Sequence, residues 1–386
     1  MSTLEGLVDR AVERAGGLDD LGPATWQEGL AIIVESATTT PGVLPEGRDL
    51  LFDRCVDALW NRLRVVEHCK RHPEVREQRV ERPLIVLGLP RTGTTVVSSL
   101  LDQDPARRSL LNWEAGDSAP PATTATLRSD PRCLAKKAEL DALAKALEEA
   151  RFPIPHWEDA DGPTECTFVL NQDFRALYWD ALLPSPAYGE WLLDADLVPG
   201  YEYERSVLQV LQSVAPGTWS LKMPSHALHL DALLEVFPDA RLVWAHRDPF
   251  RATASALSMY ALGRQRICGP EIDQSAIVAA SLRQLQAHVE RPLRVQERIG
   301  ADRFFPLHYA DLLRDPIGQM RALYAWAGDE LTGDVEAAMT DWLARHPQDR
   351  FGVRPYALDA YGLTRADLEP LYAEYLAAFD IEVEET

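Results

Sequence analysis

Over the first 80 positions the apolar residues recur at helical spacing. Leu4, Val8 and Val12 stand four apart, and Leu51, Cys55, Leu59, Leu63 and Val66 resume the pattern after a loop at 40–42. From Pro83 the pattern changes to short strand-like stretches, unbroken and apolar at 84–87 and 242–245 and mixed at 219–222 and 304–308, each followed by a stretch of helical period. Runs of that length that do not alternate predict strands buried on both faces. Helices are predicted at 96–103, 131–151, 164–179, 201–214, 226–237, 273–299, 316–327, 335–345 and 366–379, with one more starting at Pro249. Proline suits a first helical turn, and Ser225 is a candidate N-cap for the helix that Pro238 ends. Strands alternating with helices predict an α/β fold, a central parallel sheet with helices on both faces. Residues 1–82 are expected to form a helical N-terminal extension. Residues 83–386 are expected to form the α/β domain, with a helical insertion at about 125–215 lying over the site.

The first strand runs straight into Gly88-Leu-Pro-Arg-Thr-Gly-Thr-Thr95. A strand, a tight glycine turn and a helix N-terminus make an anion cradle, because the leading N–H groups point outward without partners. The Gly88-x4-Gly93 spacing is that of a nucleotide-triphosphate loop, yet Thr94 stands where that loop carries its lysine. Arg91 is the one strong cation in the turn, so the cradle suits a terminal phosphate or sulfate. A second anion site is predicted where the 242–245 strand ends in His246-Arg247-Asp248-Pro249, with Ser255 eight residues past Arg247 on the next helix. An arginine fork and a helix hydroxyl together clamp a phosphate. Ligands of open α/β sheets bind at the carboxyl ends of the strands, and two such pockets would hold a nucleotide phosphorylated at two separate positions.

Composition narrows the partners. A formal net charge of −21 argues against nucleic acid or an anionic membrane surface. The five cysteines are dispersed, without CxxC or metal-type spacing, as expected of reduced thiols in a cytoplasmic protein. No window approaches the length of a membrane span, and the acid-bearing N-terminal stretch is not expected to be a signal peptide. Neither HExxH nor a clustered Asp/His pattern is present, and no metal is expected.

Pro90-Arg-Thr-Gly-Thr-Thr95, the Arg247/Ser255 pair, Phe237-Pro-Asp-Ala240 and Tyr309-Ala-Asp-Leu-Leu-Arg-Asp-Pro316 together resemble the sulfotransferases that use 3′-phosphoadenosine-5′-phosphosulfate (PAPS), particularly their bacterial branch. The resemblance covers roughly residues 83–362 in ordered pieces. It implies that Arg91, Thr92, Gly93, Thr94 and Thr95 hold the 5′ end, that Arg247 and Ser255 hold the 3′-phosphate, and that Tyr309 lies near the adenine. It likewise implies that Arg350 and Arg354 belong to a basic loop closing over the nucleotide, with 3′-phosphoadenosine 5′-phosphate (PAP) as product.

Sulfuryl transfer needs cations or N–H groups on the moving oxygens, a base for the acceptor proton and exclusion of water. Arg91 and the cradle supply the first, and Lys222, at a strand end 25 residues before Arg247, is the second cation, a spacing the tyrosylprotein branch shares. Glu114 is the first candidate base, carried by the apolar Leu110-Leu-Asn-Trp stretch, where desolvation would raise its pKa. His156, among prolines and aromatics, is the second. Trp157, Phe168, Phe174, Tyr178, Trp179 and Trp191 concentrate rings between the half-sites, the makings of an apolar acceptor pocket. The expected acceptor is a hydroxyl of a small metabolite, lipid or glycolipid. Two other readings stay open, a non-catalytic PAP/PAPS-binding protein and a nucleotide kinase, the latter short of its lysine at position 94.

Overall fold

The computed structural model describes residues 3–149, 157–270, 275–347 and 358–384. Five strands form one sheet: β1 (Leu84–Gly88), β2 (Arg107–Ser109), β3 (Thr218–Lys222), β4 (Arg241–His246) and β5 (Phe304–His308). Their order is β2-β3-β1-β4-β5 and every pairing is parallel. The expected parallel α/β sheet is what forms. From β1 the chain crosses to the β2 edge, returns through β3 and passes over β1 to β4 and β5, so β1 lies centrally between β3 and β4, where the strand order reverses. In register, Val86 faces Lys222 and Gly88 faces Ala245. The ends of β1, β3 and β4 therefore open at one level.

The strand pleat divides the core. Ile85, Leu87, Leu242 and Trp244 point to one face and pack with Leu7, Leu30 and Leu51 of the N-terminal helices Leu4–Arg14, Trp26–Thr39 and Pro45–Arg71. Leu84, Val86, Val243 and Ala245 point to the other, against Val97, Leu323 and Met339. Successive strand residues face opposite sides, which is why both sets are apolar here. Each fully buried Val, Leu or Ile among them is worth about 1.5–3 kcal/mol.

Departures from expectation have local causes. β2 is a polar edge strand whose Arg107 and Arg108 are buried, so it carries no apolar signal. The helix expected at 164–179 is broken into Thr167–Leu170, a 3-10 turn Asn171–Asp173 and Leu177–Asp180, because Phe174 turns left-handed at φ 54°. The helix expected at 226–237 starts as a 3-10 turn, Pro224–His229, and Ser225 lies inside that turn and is not its cap. Pro249 does open its helix, Pro249–Cys268, and Asp248 caps it by accepting from the N–H groups of Phe250 and Arg251. All five cysteines are free thiols. No described helix is long and apolar enough to cross a membrane.

Candidate active site

The turn after β1 is held by close approach and unusual dihedrals. Gly88 lies at φ 143°, and a Cβ there would come within 2.5 Å of the Ala245 carbonyl oxygen. Gly93, at φ 85°, begins the helix Thr94–Leu101, and a Cβ on it would meet the Tyr309 ring at 2.8 Å. Arg91 adopts φ 70°, a left-handed conformation that costs a side-chain-bearing residue about 1–3 kcal/mol. Thr92 is buried, its hydroxyl donating to the Leu89 carbonyl at 2.8 Å. The first helical bonds run from Val96 and Val97 to the Gly93 carbonyl, which leaves the Thr94 and Thr95 amides ahead of the ladder, available to an anion.

The β4 arm joins this turn directly. Arg247 Nη1 donates to the Arg91 carbonyl at 2.8 Å, and Arg91 Nε donates to Ser255 Oγ at 3.2 Å. The Arg247 guanidinium lies over the Tyr309 ring at 4.2 Å. Arg91, Gly93, Arg247, Ser255 and Tyr309 are thus one constellation. It already grips a carboxylate: Arg247 Nε and Nη2 donate to Glu384 Oε1 and Oε2 at 2.5 and 2.9 Å, and the Glu384 N–H donates to Asp248 at 2.9 Å. Burial alone would lower the Arg247 pKa, but the hydrogen bond to Glu384 reverses this and keeps it raised, while Arg247 holds Glu384 below the usual carboxylate range.

Lys222 ends β3 with its side chain fully enclosed, not turned to water. Nζ donates to Glu158 Oε1 at 2.8 Å and to Glu165 Oε1 at 3.1 Å. Burial opposes its charge, but Glu158 and Glu165 more than offset that, and the pKa is raised. The segment carrying the two acids is pinned to the chain before Glu114. Asn112 and Trp113 donate their N–H groups to the carbonyls of Gly162 and Ala160, and Thr164 N–H donates to Leu110.

Glu114 sits elsewhere than expected. It opens the short helix Asn112–Gly116 beyond the edge strand β2, two strands from the cradle, and is fully buried. Arg108 Nη2 donates to both of its oxygens, at 2.5 and 2.7 Å. Burial raises its pKa as expected, with Arg108 pulling the other way. Of the aromatic set, Phe174 and Trp179 are core residues, their rings 5.4 Å apart, whereas Phe168 is exposed and meets Tyr178 at 5.9 Å. His226 is buried against the Tyr201 hydroxyl, and desolvation pushes its pKa down to about 3. His156, Arg350 and Arg354 lie outside the described residues.

Sequence reasoning missed Glu158, Glu165 and Glu384. Glu158 falls in an irregular stretch and Glu165 in the helix expected at 164–179, and no local signal ties either to a lysine about 60 residues on. A cleft of about 970 Å³ opens between the N-terminal helices and the helix Val198–Gln212, bordered by Lys70, Arg79 and Arg205. No residue of the cradle lines it, so it is not the anion site.

A parallel sheet with a lysine-free anion turn on its switch-point strand and an arginine on the neighbouring strand defines a class of α/β proteins that grip oxyanions at strand ends. Within that class the chain belongs to the sulfotransferase family, whose model matches residues 83–333, and it is an enzyme of that family. It is similar to the sulfotransferase STF9 of Mycobacterium avium, with 52% identity, a TM-score of 0.95 and coverage of 100% of this chain and 99% of that one. The sulfotransferase STF1 of Mycobacterium tuberculosis is 28% identical at a TM-score of 0.83, over 96% and 98% of the two chains. The omega-hydroxy-beta-dihydromenaquinone-9 sulfotransferase Stf3 of Mycobacterium bovis is 28% identical over 297 residues, 73% of this chain and 70% of that protein.

Proposed function

We propose that the enzyme takes its sulfuryl group from PAPS and passes it to a hydroxyl of a small or lipid-like acceptor, releasing PAP. The observation that carries this reading is the bonded chain from Arg247 through the Arg91 carbonyl and from Arg91 to Ser255, which makes two anion pockets a single rigid unit. One pocket suits a 5′-phosphosulfate, held by Arg91 and the amides of the turn 92–95. The other suits a 3′-phosphate, which would take the place of Glu384 on Arg247 and Ser255. Tyr309, under Arg247 and against Gly93, would border the nucleoside between them.

The bound donor supplies an activated sulfur with a good leaving group. The chain's own residues orient it and neutralise charge. Fixed N–H groups and guanidinium at the turn favour the charge that develops on the moving oxygens, because they need no reorganisation. Lys222, on the strand beside β1, is the nearby second cation. The exposed Phe168, three residues past Glu165, offers an apolar surface, and relatives named for a hydroxylated menaquinone favour a hydroxylated lipid as acceptor.

The test incubates the enzyme with PAPS and an omega-hydroxylated dihydromenaquinone and follows both products by mass spectrometry. A sulfate ester formed in step with PAP is expected. No ester from this lipid overturns the acceptor class, and no consumption of PAPS with any hydroxylated acceptor, while ATP is consumed, overturns the donor.

A further inference from the structure

Three side chains of metal-binding type meet close to the end of β3. Cys166 precedes the helix Thr167–Leu170, Glu204 lies on the helix Val198–Gln212, and His226 belongs to the 3-10 turn Pro224–His229. Each is at most 1% exposed, and their ligand atoms lie within 4.8 Å of one another, the one such group among the described residues. Their polar atoms are left over by the fold. Both Glu204 oxygens and His226 Nε2 take part in no N–H or O–H hydrogen bond, and the polar group beside Glu204 is the Cys166 thiol. No described cation is paired with Glu204, and the Lys222 ammonium is given to Glu158 and Glu165. The other His226 nitrogen, Nδ1, is engaged: it lies 3.0 Å from the Tyr201 hydroxyl, with the two rings stacked at 5.6 Å. A ligating imidazole typically gives its second N–H to such a partner, which fixes the tautomer and aims the free nitrogen at the ion.

We infer that Cys166, Glu204 and His226 form a zinc site, with Tyr201 orienting His226. A thiolate, a neutral imidazole and a carboxylate are customary zinc donors, and three protein ligands leave one tetrahedral position to a water. Bonds of about 2.0–2.3 Å set such donors roughly 3–4 Å apart, so side-chain rotation closes them on the ion with the backbone in place. One Zn²⁺ cancels the two negative charges, which could not otherwise be buried together without a partner. The thiol and the carboxyl each release a proton as the ion enters, and without the ion they keep them. The Cys166 N–H donates to the Lys222 carbonyl at 3.0 Å, so the ion braces the strand end from which Lys222 projects. Short motifs predicted no metal because these three donors come from separate elements.

Elemental analysis and cobalt substitution of the whole chain test the site. About one zinc per chain is expected, as isolated or after chelator treatment and zinc addition. Cobalt in its place should give a thiolate-to-cobalt charge-transfer band. Cys166→Ala should lose that band, and Cys133→Ala, a buried thiol of another cluster, should keep it. Tyr201→Phe is expected to weaken zinc binding by about 10–100-fold, and Glu204→Gln and His226→Gln by more than that. Chelator should lower the wild-type Tm and zinc restore it, with the Tm of Glu204→Gln responding to neither. Should the variants fail to fold, the wild-type cobalt spectrum and zinc-dependent melting decide the matter. A chelator-treated wild type that takes up neither zinc nor cobalt overturns the inference. So does metal held equally well by Cys166→Ala, as a histidine pair such as His68 and His72 would hold it. Neither of these results touches the donor reading, which rests on other residues.

Discussion

Two carboxylate–cation groups lie at the carboxyl edge of this sheet, and they differ in what surrounds them. Glu114 and Arg108 are sealed, with side-chain exposures of 0% and 4% and both carboxylate oxygens satisfied. Glu165 and Lys222 pair an enclosed cation with an acid that is one-quarter exposed. A sealed, balanced pair has nothing left to offer a substrate and acts on stability. A pair that opens to solvent can exchange a partner. Burial, more than residue type, separates the two groups here.

The largest expected effect lies on the sealed side. Glu114→Gln leaves the Arg108 charge buried without its partner, and breaking one side of a buried pair costs about 3–5 kcal/mol. Denaturant unfolding should show that loss, with PAP affinity of the folded fraction unchanged. A variant of wild-type stability would break the comparison.

Glu204 is the extreme sealed acid. In the metal-free chain it is fully buried near Cys166 and His226, with no cation paired to it among the described residues, and desolvation raises its pKa to about 7, eased by the Cys166 thiol. The folded pKa stands above the unfolded value of 4.5, so this group's contribution is whole below pH 4.5 and is lost as pH rises through 7, by about 3 kcal/mol in all. Thermal unfolding of Glu204→Gln against the wild type should therefore move in the variant's favour between about pH 5 and pH 8. A gap that is constant with pH contradicts the assignment.

On the open side, Arg247→Ala and Arg91→Ala should each weaken PAP binding by about 1.5–3 kcal/mol, with melting temperatures little changed. Calorimetry decides this, and affinity equal to the wild type would remove the residue from the site. Smallest is Glu384→Gln. Glu384 occupies the fork that a 3′-phosphate needs and is about one-third exposed, so its release should strengthen PAP binding by about 0.2–1 kcal/mol. Weaker binding would show that Glu384 supports the pocket and does not compete for it.

What the sequence revealed followed from local physics. β1 and the 242–245 heart of β4 are unbroken apolar runs, and the spacing of the glycine turn with Arg91 predicts an anion cradle. Arg247 and Ser255 were legible because strand end and helix turn fix their separation, and the structure does bring both to Arg91. β2 was illegible, since an edge strand of two arginines and a serine has no apolar pattern. Placing Glu114 near the cradle required knowing that β2 intervenes at the sheet edge. Glu158 and Glu165 could not be paired with Lys222 from spacing, because the 158–166 segment is positioned by backbone bonds to residues 110–113 that leave no compositional trace.

The central claim is that one bonded unit grips both ends of a nucleotide, and titration calorimetry of PAP against adenosine 5′-phosphate tests it most directly. The account predicts that the 3′-phosphate, seated on Arg247 and Ser255, tightens binding by about tenfold or more, and that Arg247→Ala abolishes the difference. Equal affinity of the wild type for the two nucleotides would contradict it.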